Sequence, residues 1–297
     1  MSRGGDSAGS DAGTYRVRPS IMKRLALACV LAAFAAAVAG AQGFGQRWGR
    51  MRVAPPRYPV ADSFDGSFNF CRGMYESDPG HREAGGMGWW TDYPDADINF
   101  SIRLSELTKI HVSKQSNGDP NHLVVRLTDD ALFNCPWLEM EDVGTMTLSE
   151  AEVVRLRQYL LKGGFLYVDD FWGEWAWDQW VEESGRVLDP KQYPIVELTM
   201  DHPLFRTMFV IPKLPQIPSI NHWMRSGGQT SERGEESAIP DVRGIADEHG
   251  RLMVVMTHDT DISDAWEREG EDPRYFYLFS PDGYAVGINI VVYALTH

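Results

Sequence analysis

Lys162-Gly-Gly-Phe-Leu-Tyr-Val-Asp-Asp-Phe171 is the stretch on which the fold turns. The two glycines stop whatever helix precedes them, because glycine enters the left-handed conformation of a C-cap at little cost. Phe165 to Val168 is apolar with no polar alternation, the pattern of a strand covered on both faces. Asp169 and Asp170 close that strand. Working upstream, Ser149-Glu-Ala-Glu152 predicts a capping box. Val153, Leu156 and Leu160 then mark one apolar stripe of an amphipathic helix. Before it, His122 to Leu127 reads as a strand bounded by Asn121 and by Asp129-Asp130. Downstream, Trp175 to Glu183 predicts a second helix that stops at Gly185. Strand, helix, strand and helix at this spacing predict an α/β fold, with a mostly parallel sheet and helices on both faces.

The C-terminal third adds antiparallel structure. Val242–Ala246 and Leu252–Thr257 flank Glu248-His249-Gly250 and read as a hairpin. Ser280-Pro281 predicts the start of a closing helix, with proline at its first position and Ile288, Val292 and Leu295 on its apolar face. Between 203 and 240, Pro203, Pro212, Pro215, Pro218 and Pro240 predict a long surface excursion free of regular elements.

The 297 residues hold 42 Asp+Glu against 28 Lys+Arg, a formal net charge of −14, which repels phosphate backbones and argues against nucleic acid as a partner. Residues 22–41 read as a secretory signal peptide: Lys23 and Arg24, an apolar run from Leu25 to Val38, and an Ala39-Gly-Ala41 exit. Met22 is then the expected start, residues 1–21 an upstream extension, and 42–63 a Gly/Pro-rich linker ahead of one domain from 64 to 297. A periplasmic or secreted location follows. Cys29 falls inside the signal, which leaves Cys71 and Cys135 in an oxidising compartment, either paired or separately buried.

Two polar groups follow apolar strands, where open α/β sheets bind ligands. Asp169 and Asp170 follow the strand Phe165–Val168. His258, Asp259 and Asp261, with Asp264 and Glu267 beyond, follow Leu252–Thr257. Gathered at one edge, they would suit an oxygen-ligand divalent cation or an acid/base pair. Trp172 and Trp266 are expected beside them. Trp172, Trp175, Trp177 and Trp180 put aromatic side chains on two faces of one helix, so either they pack in the core, or one or two of them line a groove for a glycan, peptide or protein partner.

The segments 162–171, Trp90-Thr-Asp-Tyr-Pro-Asp-Ala-Asp97, His258-Asp-Thr-Asp-Ile-Ser-Asp-Ala-Trp-Glu267 and Gly287-Ile-Asn-Ile-Val-Val-Tyr-Ala-Leu295 resemble the bacterial domain-of-unknown-function family 4159. The resemblance spans roughly 64–297. It implies a class I glutamine amidotransferase-like, flavodoxin-like fold and supplies no activity. Enzymes of that fold class carry a cysteine on the turn after the glycine-led strand, and His-x-Glu at a later strand end. Here the turn carries Asp169-Asp170, and the later end reads His258-Asp-Thr260, so glutaminase chemistry is excluded. The reading that remains is a non-catalytic ligand-binding or interaction module. The alternative is an exported hydrolase using Asp169, Asp170 and His258, with or without a divalent cation, on a glycan or ester.

Overall fold

A computed structural model describes residues 54–78 and 87–297. The signal segment 22–41, the stretch 1–21 and residues 42–53 of the expected linker lie outside the described residues.

The chain runs β1 (Phe70–Met74), β2 (Glu76–Ser77), α1 (Asp95–Leu107), β3 (His122–Arg126), β4 (Leu138–Glu141), β5 (Met146–Thr147), α2 (Glu150–Leu161) and β6 (Leu166–Asp169). It continues α3 (Gly173–Val187), β7 (Val196–Glu197), α4 (Ile220–Ser226), β8 (Asp241–Ala246), β9 (Leu252–His258), α5 (Asp264–Glu267) and α6 (Pro273–Thr296). Seven strands form the main sheet in the order β3-β1-β4-β6-β9-β8-β7. The first five are parallel, and β8 and β7 extend the sheet antiparallel. The glycine-led strand β6 is the middle one, buried along its length as its unbroken apolar run requires. The expected capping box is present: Ser149 accepts from the Glu152 amide, and Glu152 accepts from the Ser149 amide.

Strand alternation sorts the buried side chains into two cores on opposite faces of the sheet. On one face Phe70, Trp137, Phe165 and Tyr167 pack with Phe100 and Leu104 of α1 and with Ile288, Val291 and Tyr293 of α6. On the other, Cys71, Met140, Val168 and Met256 pack with Leu156 of α2 and Trp180 of α3. The β1-to-β3 connection crosses the first face as α1. The β3-to-β4 connection returns across the second face as little more than a 3-10 turn, Asp130–Asn134. The Cys71–Cys135 disulfide, with Cα atoms 6.1 Å apart, fastens that return to the underside of β1. Strand order therefore reverses between β1 and β4, and such a reversal opens a crevice at the carboxyl ends of the strands.

Three expectations change. The closing helix starts at Pro273, capped by Asp272, and runs through Pro281. Pro281 lacks the amide that would reach the Tyr277 carbonyl, but Tyr277 and Leu278 face outward, where water serves that group. Helix α3 passes through Gly185 to Val187. The 203–240 stretch is no surface excursion: Leu204, Phe205, Ile211, Leu214, Ile217 and Ile220 are buried in the α1/α6 core, and the stretch forms α4.

Candidate functional site

The carboxyl edge of the parallel strands carries a dense set of buried charges. Arg72 on β1 is fully buried. Its Nε and Nη2 donate to Asp97 Oδ1 of α1 at 3.0 and 2.5 Å, and Nη1 donates to the Thr91 carbonyl at 3.0 Å. Nη2 also lies 3.1 Å from Glu139, and Nη1 lies 3.6 Å from Glu141, both on β4. Asp169 ends β6 on the same face. It accepts from Thr257 Oγ1 at 2.5 Å and from the Ser263 amide at 2.9 Å, and Ser263 Oγ reaches both Asp169 and Glu139. One guanidinium therefore faces Asp97, Glu139 and Glu141, with all four side chains fully buried. Burial pushes the Glu139 and Glu141 carboxyls well above the usual range against the pull of Arg72, and Glu139 pushes Glu141 further. Burial also raises Asp169, to about 7, although its hydrogen bonds favour the charged form.

Just beyond the strand ends lies a second tier. Asp142 follows β4, Asp170 follows β6 and Asp259 follows β9, and each takes a left-handed backbone, at φ 52°, 52° and 59°. Asp92 does the same at φ 60°. Aspartate is one of the few residues other than glycine that tolerates this region. Asp142 Oδ2 accepts from the Gly88 amide at 2.6 Å, and burial pushes its carboxyl up to about 8. Asp170 is partly open to solvent and accepts from Trp172 Nε1 at 2.9 Å. Burial, then Asp142 and Asp92, hold its carboxyl well above the ordinary range. Asp261 accepts from the Asp264 amide at 2.8 Å, and burial followed by Asp170 and Asp92 raises it in the same way.

Asp264 Oδ2 accepts from the Ile220 amide and from Tyr275 Oη, both at 2.8 Å, so one carboxyl joins the start of α4 to α6. Burial pushes it to about 7. Glu267 is pushed up to about 10 by burial and by Asp92, despite Arg268 Nε at 2.5 Å.

His258 belongs elsewhere. Thr257 and His258 are consecutive in β9, so their side chains leave opposite faces of the sheet. Thr257 meets Asp169, while His258 packs on Phe171 and Trp177 on the α3 side. Its Nδ1 lies 3.3 Å from Asp241 Oδ2, and its Nε2 lies 3.2 Å from the Gly173 carbonyl and 3.5 Å from Asp259 Oδ1. Asp259 in turn accepts from the Gly173 amide at the start of α3. The seven sequence candidates thus divide. Asp169, Asp170 and Asp261 come together, with Trp172 beside Asp170. His258 and Asp259 form a separate group with Asp241. Trp266 is fully buried, its ring 4.4 Å from that of Phe100 and stacked near Tyr284, so it is a core residue and not a wall of the polar edge. Of the tryptophans of α3, Trp180 is core and Trp177 carries Arg243 over its ring at 3.8 Å.

The profile of DUF4159, a domain of unknown function, matches residues 81–295. The chain belongs to the DUF4159 family. Among curated proteins no relative matches it. Sequence pattern alone does not single out Arg72, Asp92, Asp97, Glu139, Glu141 or Asp142 in this DUF4159 chain. Leu138-Glu-Met-Glu141 alternates apolar and charged, which ordinarily marks a strand with one wet face. Both faces are buried here, and Arg72 opposite is the reason the charges are tolerated. The Asp92 signal was within reach, since it falls inside the Trp90–Asp97 segment that carried the resemblance.

Proposed function

We propose that this DUF4159 chain is an exported, non-catalytic ligand-binding module whose binding centre is the acidic edge around Asp170, Asp142, Asp261 and Asp92. One observation carries the reading: where the strand order reverses, buried carboxyls with unused acceptor oxygens converge, among them Asp92 Oδ2 and both oxygens of Glu141. Unsatisfied buried acceptors are costly, about 1–3 kcal/mol each, and a ligand that donates to them or neutralises them removes that cost. The turn after β6 offers Asp170 and no thiol or hydroxyl, which supports binding over acyl transfer. Support for export comes from the signal-like residues 22–41 and from a buried disulfide, a bond that persists in oxidising compartments.

The hydrolase alternative, on a glycan or ester, needs Asp169 or Asp170 to work with His258. The sheet lies between Asp169 and His258, and the histidine is already engaged by Asp241 and Gly173, so that constellation draws no support from the geometry.

The test is a thermal-shift screen of the full chain against neutral oligosaccharides, amino sugars and small diamines, run beside Asp170→Asn. A compound that raises Tm for the parent and not for the variant supports the reading. Turnover of a chromogenic ester or glycoside that Asp170→Asn abolishes would replace it with the hydrolase.

A further inference from the structure

We infer that Asp92, Asp264 and Glu267 form a site for a hard divalent cation of the calcium or magnesium type at the mouth of the acidic edge. The inference rests on the reading of that edge as a binding centre and names its ligand. One carboxylate oxygen from each residue lies within 4.8 Å of the other two. Oxygens bound to one calcium at about 2.3–2.6 Å can be no further apart than about 5 Å, so the three fit a single ion without rearrangement of the backbone.

An acidic trio alone would be weak grounds, and Asp92 supplies the second observation. It is only 7% exposed, yet its Oδ2 has no hydrogen-bond partner. The rest of the trio is already fixed: Asp264 is held by the Ile220 amide and Tyr275 Oη, and Glu267 is carried one turn further along α5. Arg268 Nε meets Glu267 Oε2 at 2.5 Å and Asp264 Oδ1 at 3.5 Å, so it occupies one side of the trio. The cations acting on Asp92 are Arg268 and Arg72, which are shared with Asp264, Glu267, Asp97, Glu139 and Glu141, so carboxyls outnumber positive charges here. A divalent ion matches that deficit, with Asp142, Asp170 and Asp261 as further carboxyl groups near it.

The donor set decides the class of ion. All three ligands are carboxylate oxygens, with no imidazole or thiolate among them, which suits calcium, magnesium or manganese and not zinc or copper. The other clustered group, Asp241, His258 and Asp259, contains an imidazole and would favour zinc; there, however, both ring nitrogens already have partners.

The experiment is isothermal titration of the metal-stripped full chain with calcium, magnesium and zinc chlorides. Parallel runs use Asp92→Asn, Glu267→Gln and Asp241→Asn, each checked by circular dichroism. Asparagine tolerates the left-handed backbone at position 92, so Asp92→Asn keeps the fold. The expected result is saturable one-site binding of calcium or magnesium that weakens at least about tenfold in Asp92→Asn and Glu267→Gln and is unchanged in Asp241→Asn. Absence of saturable calcium or magnesium binding overturns the inference. So does binding indifferent to both site variants, or zinc binding lost with Asp241→Asn. If no cation binds while an organic compound still shifts Tm through Asp170, the cation site fails and the binding module stands.

Discussion

Arg72 shows what a single side chain has to do in this edge. It is the buried cation for Asp97, Glu139 and Glu141, and removing it leaves those carboxyls facing one another. Breaking a buried ion pair from one side costs about 3–5 kcal/mol, so Arg72→Met should lower the unfolding free energy read from urea melts by about that amount. A loss below about 1 kcal/mol would mean that Arg72 contributes no more here than an exposed ion pair does. Asp170 makes the opposite case. Its carboxyl is already disfavoured as an anion by burial and by Asp142 and Asp92, and asparagine accepts its left-handed backbone. Asp170→Asn should therefore keep stability within about 1 kcal/mol of the parent or raise it, as urea melts would show, while losing ligand. Residue by residue, Asp169, Asp170 and Asp261 were legible because each follows an apolar run. Glu139 and Glu141 were not, since a charged residue alternating with leucine and methionine looks solvated until its partner on another strand is known.

At the scale of elements, helix α6 closes the α1/α6 core by bringing glycine against two aromatic rings. A Cβ on Gly287 would lie 2.7 Å from Phe100 Cε2 and closer still to Trp266 Cζ2. Both rings are fully buried and cannot retreat. Gly287→Ala should destabilise by about 1–3 kcal/mol despite alanine's better helix propensity, and calorimetry would show a lower Tm. An unchanged or raised Tm would mean that α6 slides to make room. The element pattern was readable wherever period and caps agreed, as at α2 with its Ser149 box and at the hairpin β8–β9. It failed at Pro281, where proline signals a start unless an outward-facing carbonyl four residues earlier can be left to water. It failed also in 203–240, where prolines punctuate a segment that nevertheless buries six large apolar side chains, because proline breaks hydrogen-bond ladders without preventing burial.

For the molecule as a whole, the raised carboxyls set an unusual pH response. Asp169 and Asp264 are pushed to about 7, Asp142 to about 8 and Glu267 to about 10 from ordinary values near 4. The folded chain then binds more protons than the unfolded chain above about pH 4, so their contribution is complete below that point and is lost as pH rises through the folded values. In chelator-treated protein, Tm should fall between about pH 5 and about pH 8, and a rise over that window would show these acids to be ionised in the fold. The strain is greater on one side. Asp169, Asp264 and Glu267 sit on the α1/α6 face, whereas the α2/α3 face is lined by Leu156, Met140, Val168 and Trp180 and fastened by Cys71–Cys135, with Asp259 beside His258 as its raised acid. The sheet thus separates a half whose cohesion depends strongly on protons from a half whose cohesion depends on them little. In deuterium-exchange mass spectrometry without added cation, after correction for intrinsic rates, peptides from α1 and α6 should lose protection as pH rises from about 6 to about 9, while those from α2 and α3 keep theirs. Uniform loss across both halves would mean that the sheet transmits the opening. Otherwise alkalinity unlatches one side of the molecule and leaves the other closed.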